Sequence, residues 1–388
     1  MSEPILTEQH LLLRDTVLGF ARREIAPVAD RIDREDWFPE ALFRSLAGLG
    51  LLGINIPDEY GGAGADLLSG VIALEQVSRV SPSLALSYGA HTNLCAFNLY
   101  RNGSEAQRRR YLPDLCSGGT IGALAITEPD AGSDAAGIST RAVRDGDDFV
   151  LTGTKLFITN GPVADTLIVY AKTNPAAGAH GITTFIVERG MPGFSVMRSL
   201  DKVGHRGSPT GELVFEDCRV PAANVLGEVD RGAAVMMTGL DYERVFLAGE
   251  PVGIAEEAVD LSVAYARQRK QFGRPIGAFQ MIQAKLAEMY AQVEAARWLV
   301  YRTAFVAGQG IRCTRDAAAA LLFSAEVATR VTEDAVQVHG GFGYTHDAPV
   351  QRLWRDAKLM TIGAGTSEIR KLIIARDLLG KEVAEWEG

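Results

Sequence analysis

The chain has 388 residues, 47% hydrophobic and 22% charged, with 39 basic against 48 acidic side chains and a formal charge of −9. This composition excludes a disordered segment, a collagen-like repeat and a disulfide scaffold, and the length allows two or three domains with sizeable cores. An acidic chain creates no net field for a phosphate backbone or an anionic membrane, so neither nucleic acid nor a membrane is an expected partner. Cys95, Cys116, Cys218 and Cys313 form no close pair, which predicts packed thiols in a reducing compartment. The N-terminal stretch has no apolar run of signal or membrane-span length and is too acidic for a mitochondrial transit peptide, so a cytoplasmic location is expected.

From residue 7 to about 122 apolar positions recur at helical spacing, beginning with Leu11, Val17, Phe20 and Ala21 behind a start at Thr7 and Glu8. Further helical runs cover Ala41 to Leu52 and Leu67 to Val80, parted by the loop IPDEYGGAG. From about 123 the segments FVLTGTKLFITN, DTLIVYAK, GITTFIVE, GFSVM and GELVFED are short, β-branched and bounded by Gly, Pro and Asn, which predicts antiparallel strands. From about 231 long amphipathic helices return over Ala233–Arg267, Ala278–Gly308, Thr314–Gln337 and Ser367–Gly380, with Pro251 expected to kink the first. The fold class is therefore α+β and multidomain. It comprises an N-terminal helical domain over 1–122, a central antiparallel β-domain over 123–230 and a C-terminal four-helix bundle over 231–388.

No strand leads through GxGxxG into a helix, so a Rossmann site is not expected. The six histidines lack metal-ligand spacing, so each is expected to be a surface or satisfied polar group and no metal is expected. Three clusters stand out. Leu124 to Asp134 (LAITEPDAGSD) sets hydroxyls, a Pro turn and a Gly-Ser pair after an apolar strand, suiting close backbone approach to a flat polar-edged ligand and a phosphate, although an ordinary turn explains it equally well. Gln337 to Tyr344 (QVHGGFGY) reads by itself as a helix C-cap, and Gly363 to Glu368 (GAGTSE) runs into a helix N-terminus able to hold an anion or a carbonyl oxygen.

Taken together with KLFITNG and RKQFGRPIGAFQ, these segments occur in the order of the acyl-CoA dehydrogenases, which the chain resembles over essentially its whole length. LSYGAHTNLC, DKVGHRGSPT, GLDYERVFLAGEPVG and GAGTSE are most similar to the branch of that family acting on isovaleryl-CoA. The resemblance implies FAD bound without a Rossmann fold. Leu124, Thr127, Gly132, Ser133, Phe157, Ile158 and Thr159 would line the flavin, with Phe157 standing where many relatives have Trp. Arg269, Gln280, Gln337, Gly340 and Gly341 would hold the pyrophosphate and adenosine end from a neighbouring subunit, and Thr366, Ser367 and Glu368 would meet the cofactor again. It further implies a homotetramer, electron-transfer flavoprotein as acceptor, and an acyl-CoA substrate desaturated by loss of an α-proton and transfer of a β-hydride to flavin N5.

Most relatives carry the catalytic Glu at the position of Ala364, which cannot abstract a proton. The isovaleryl branch carries its base at the position of Glu243. Met236, Leu240, Glu243, Leu247 and Ile254 fall on one helical stripe, so Glu243 projects from an apolar face, where burial raises a carboxyl's pKa. From that stripe alone an ion pair explains Glu243 at least as well; with Ala364 in view the base is the reading. Gly363 replaces a Tyr of straight-chain relatives and leaves width for a branch. The Ala364 N–H remains free to polarise a thioester carbonyl, and Ser133, Asp241 and Arg244 match acyl-CoA contacts. Ala234 departs from the branch, which leaves another branched or terpenoid acyl-CoA as the alternative substrate, and Ala179 with His180 departs from a Ser-Arg pair near CoA. A non-catalytic flavoprotein of the same fold is the alternative outside enzymes.

Overall fold

A computed structural model describes residues 5–380, so the ends of the first and third regions lie outside the described residues. The first helix, Glu8–Phe20, starts where expected. Thr7 accepts from the His10 N–H at 3.3 Å while the His10 ring accepts from the Thr7 N–H at 3.1 Å, closing the start from both sides. Ala41 to Leu52 breaks into a short helix, Glu40–Ser45, and two 3-10 turns around the left-handed Gly50. Asp66 caps the Leu67–Ser78 helix through the Ser69 N–H at 2.8 Å.

The middle of the chain forms a seven-stranded sheet: β1 Gly122–Ala125, β2 Arg141–Asp145, β3 Asp148–Thr159, β4 Thr166–Lys172, β5 Ile182–Glu188, β6 Phe194–Ser199 and β7 Thr210–Pro221. The order is β1-β4-β2-β3-β7-β6, with β5 also paired to β4. It is largely antiparallel, as expected, but β1 pairs β4 in parallel over four residue pairs and β2 touches β4 in parallel at Arg141 and Lys172. Strand β4 is buried on both faces. Leu167, Val169 and Ala171 enter one apolar cluster, while Ile168 and Tyr170 enter a second shared with Leu99, Leu115 and Met236 from helices.

The expected Ala233–Arg267 helix is two helices, Gly232–Leu247 and Gly249–Gln268, meeting at Ala248. Pro251 has no N–H to give the Leu247 carbonyl and its ring crowds that carbonyl, so the break falls one turn earlier than the proline itself. Ile254, placed with Glu243 on one stripe by the sequence, therefore belongs to the second helix. The glycines after the break have a packing role. A Cβ at Gly249 would stand 2.6 Å from the Val71 carbonyl oxygen, and one at Gly253 would stand 2.1 Å from that of Glu75, so the Leu67–Ser78 helix lies directly against this junction. The helices Gln280–Gly308, Thr314–His339, Pro349–Met360 and Ser367–Leu379 follow. Val17, Phe43, Leu74 and Tyr88 from the first part of the chain share one core with Phe246, Ile254, Val300 and Leu321, so the N- and C-terminal helices pack as one body.

Candidate active site

Glu243 lies on the Gly232–Leu247 helix, four residues before the break, with Met236 and Leu247 of its stripe buried and Leu240 half-buried. Burial pushes its carboxyl from an ordinary 4.5 up to about 7, against the opposing charges of Arg244 and Arg370. It forms no salt bridge within 4 Å among the described residues. Beside it, Arg244 is buried, with Nη1 3.0 Å from Asp241 Oδ1 and Nε donating to the Ala364 carbonyl at 3.3 Å. Asp241 Oδ2 in turn accepts from the Thr314 hydroxyl at 2.6 Å. Residues 120 positions apart thus meet at one guanidinium.

The turn on the far side is the Gly363–Thr366 segment. Ala364 is left-handed, with φ of 55°, followed by Gly365 at 87°. A Cβ at Gly363 would meet nothing nearer than the Leu359 carbonyl at 3.7 Å, so the wall of the site at Gly363 is open for lack of a side chain. Thr366 caps the last helix through the Ile369 N–H at 3.3 Å. The buried Ser367 hydroxyl has no partner, and Glu368 is exposed in the first helical turn.

The sheet supplies the other wall. Leu124, Ile126 and Ala131 pack in one cluster with Val235, Met236 and Leu240, which sets the Leu124–Ser133 segment against the helix one to two turns before Glu243. The Leu156 N–H donates to the Thr127 carbonyl at 2.8 Å, joining that segment to β3. Strand β3 bulges against β7 between Lys155 and Ile158. There Phe157 takes a φ of 61° and turns its ring into solvent. A left-handed aromatic residue is strained by about 1–3 kcal/mol, and such strain gathers at ligand sites. Thr127 and Thr159 are half-buried and their hydroxyls make no hydrogen bond among the described residues; Gly132 and Ser133 are exposed. Free hydroxyls, an exposed strained ring and the orphaned Ser367 hydroxyl fit a flat, polar-edged cofactor.

A second patch gathers the residues expected at the adenosine end. Arg269, Gln280, Gln337, Gly340 and Gly341 are all exposed. Tyr265 stacks on His339 at 4.3 Å between ring centroids, bringing the Arg269 end of its helix beside the Gln337–Gly341 turn. No hydrogen bond among the described residues joins this patch to Leu124–Ser133 or Phe157–Thr159. Of the departures, Ala234 and His180 are exposed and Ala179 is half-buried.

Sequence reasoning missed three buried polar groups. Lys155 is fully buried and paired with Glu128 at 2.7 Å, and its ammonium also reaches the Ile126 carbonyl at 2.9 Å. Burial would raise Glu128, but Lys155 and the bonds from Thr140 and Ser139 outweigh it and hold the carboxyl at about 2. The pair fastens the Leu124–Ser133 segment to β3. The signal was present, since Lys155 falls on the same alternating face as the buried Leu151. Arg370 is fully buried with no such signal. His205, expected to be satisfied or at the surface, is fully buried 2.7 Å from Glu250, with its Nδ1 unpartnered. His91 matches the expectation, with both ring nitrogens bonded, to the Leu115 carbonyl and the Gly122 N–H. All four cysteines are buried and free. No group of metal-binding side chains occurs among the described residues, and no helix there is long and apolar enough to cross a membrane.

Models of the acyl-CoA dehydrogenase N-terminal, middle and C-terminal domains match residues 7–119, 123–218 and 230–379. A mitochondrial isovaleryl-CoA dehydrogenase of Solanum tuberosum is 50% identical over 95% of this chain and 90% of its own. A mitochondrial 2-methylacyl-CoA dehydrogenase of the same plant is 49% identical over 96% and 91%. The solved butyryl-CoA dehydrogenase of Megasphaera elsdenii superposes with a TM-score of 0.95 at 41% identity, covering 96% of this chain and 99% of that one. With its three domain matches in order and its half-identical relatives, the chain belongs to the acyl-CoA dehydrogenase family, enzymes that use FAD and act on acyl-CoA substrates.

Proposed function

We propose that the chain dehydrogenates a short branched acyl-CoA, converting isovaleryl-CoA to 3-methylcrotonyl-CoA in leucine breakdown. The observation that carries this is Glu243, a half-buried residue whose desolvated carboxyl stands next in sequence to Arg244, the side chain that holds the turn bearing Ala364 in place of a carboxylate. A carboxyl raised to about 7 is a far stronger base than one in water and still half ionised at neutral pH, which suits removal of a weakly acidic α-proton. The Ala364 N–H donates to the thioester carbonyl, stabilising the negative charge that develops as the proton leaves. Gly363 leaves width for the branch, and Ser133, Asp241 and Arg244 contact the rest of the acyl-CoA. The half-identical isovaleryl-CoA dehydrogenases support this substrate.

FAD, when bound, would supply the hydride acceptor. Leu124, Thr127, Gly132, Ser133, Phe157, Ile158 and Thr159 would line its ring, and Thr366, Ser367 and Glu368 would meet the cofactor again. Arg269, Gln280, Gln337, Gly340 and Gly341 would serve the adenosine end of the cofactor in a neighbouring subunit of a homotetramer. Electron-transfer flavoprotein is the proposed acceptor, and the cytoplasm the proposed compartment. The proposed domains are 1–122, 123–230 and 231–388.

Turnover on isovaleryl-, isobutyryl-, 2-methylbutyryl-, butyryl- and citronellyl-CoA tests the substrate, with dominance of any of the last four refuting it. Mass in solution tests the tetramer, reduction of purified electron-transfer flavoprotein tests the acceptor, and cell fractionation tests the compartment.

A further inference from the structure

Arg370 is a fully buried guanidinium with no carboxylate at ion-pair distance among the described residues. Its Nη1 donates to the Met360 carbonyl at 2.8 Å, its Nη2 donates to the Gly363 carbonyl, and its Nε has no partner. Burying an unpaired cation is strongly unfavourable unless the protein fixes it for a purpose. Both of its acceptors lie on the strap leading into Ala364, and Arg244 takes the next carbonyl, that of Ala364 itself. Two arginines from two helices therefore grip successive carbonyls around a residue held in a left-handed conformation that alanine disfavours.

We propose that Arg370 is a positioning residue for the dehydrogenation: by fixing the Met360 and Gly363 carbonyls it holds Ala364 left-handed and aims its N–H at the thioester oxygen. This rests on the acyl-CoA reading above. A planar fork suits the task because it spans two carbonyls at fixed separation, which an ammonium cannot. Its charge has a second effect on the site. The groups acting on Glu243 are Arg244 on its own helix, Arg370 from the last helix and the Tyr170 phenol from β4. Of these, Arg370 is the cation outside the Glu243 helix, opposing the rise that burial imposes on the carboxyl.

The test uses the FAD-loaded enzyme with Arg370→Gln and Arg370→Lys, reading kcat and KM per bound FAD, the pH profile, and the infrared carbonyl band of a bound 13C-thioester. In Arg370→Gln kcat is expected to fall about tenfold to a hundredfold, with KM changed less than about threefold. The carbonyl band moves back toward its position in water, and the acid limb of kcat/KM moves to higher pH. Arg370→Lys keeps the limb in place but loses part of the band shift. Lower thermal stability with kcat per FAD and the carbonyl band unchanged overturns the proposal. Should Arg370→Gln not fold, Arg370→Lys decides alone, an undiminished band shift refuting the role. A wild-type enzyme that neither shifts the band nor turns over acyl-CoA refutes the functional reading instead.

Discussion

Replacing Glu243 by Gln isolates what the site sacrifices in stability for its base. Because the folded carboxyl titrates at about 7 and the unfolded one near 4.5, the native protein keeps a proton that the unfolded chain has released between those values. Folding stability from this group is therefore intact below pH 4.5 and declines as pH rises through 7. At about 1.36 kcal/mol per pH unit, the full loss is about 3 kcal/mol. Gln has nearly the same shape and no charge, so Glu243→Gln should match wild type in urea denaturation near pH 4.5. It should exceed wild type by about 3 kcal/mol at pH 8. Packing differences between the two side chains are the same at both pH values and drop out of the comparison. The same variant should lose about 10²–10⁴ in kcat, while wild-type kcat/KM rises to a plateau through an acid limb near pH 7. Equal stability differences at the two pH values, or a wild type favoured at pH 8, would show that Glu243 is not a desolvated carboxyl and remove the physical basis for its role as base.

Lys155→Met leaves Glu128 buried without its cation and should destabilise the fold by about 3–5 kcal/mol, with loss of bound FAD, measured by denaturation and flavin absorbance. Glu250→Leu strands His205 and should likewise cost about 3–5 kcal/mol, whereas adding His205→Met should recover most of it, so that a double-mutant cycle shows strong coupling. Gly363→Tyr meets only an ordinary 3.7 Å contact at its Cβ and should fold normally. Its ring should lower kcat/KM for isovaleryl-CoA relative to butyryl-CoA by about 10–200-fold, measured by competing the two substrates.

Much of the architecture was legible because long helices carry their period with them. Ala278–Gly308 was expected and Gln280–Gly308 is found, since a 29-residue amphipathic pattern leaves little choice. The failures share a cause: apolar alternation marks a strand without naming its partner. β1 and β4 are each apolar, yet nothing local says that β4 lies beside β1 in parallel, across the intervening β2–β3 hairpin. Pro251 announced a disturbance, but its form depended on Val71 and Glu75 arriving against Gly249 and Gly253 from a helix far away in sequence.

The site divides in the same way. Glu243 was singled out through the resemblance, by Ala364 standing where most relatives carry their base, since its apolar stripe alone suits an ion pair as well. Phe157 gave no sign of its left-handed backbone, because a Phe among β-branched residues reads as an ordinary strand position; only the bulge against β7 turns it outward. Arg370 was silent because its acceptors are carbonyls, which every residue carries, so no spacing of side chains can announce them. This also accounts for how a chain of charge −9 can serve an anionic ligand and a developing negative charge. The cations that matter, Arg244 and Arg370, are buried around one turn, where low dielectric multiplies their effect and the net field of a distant acidic surface is weak.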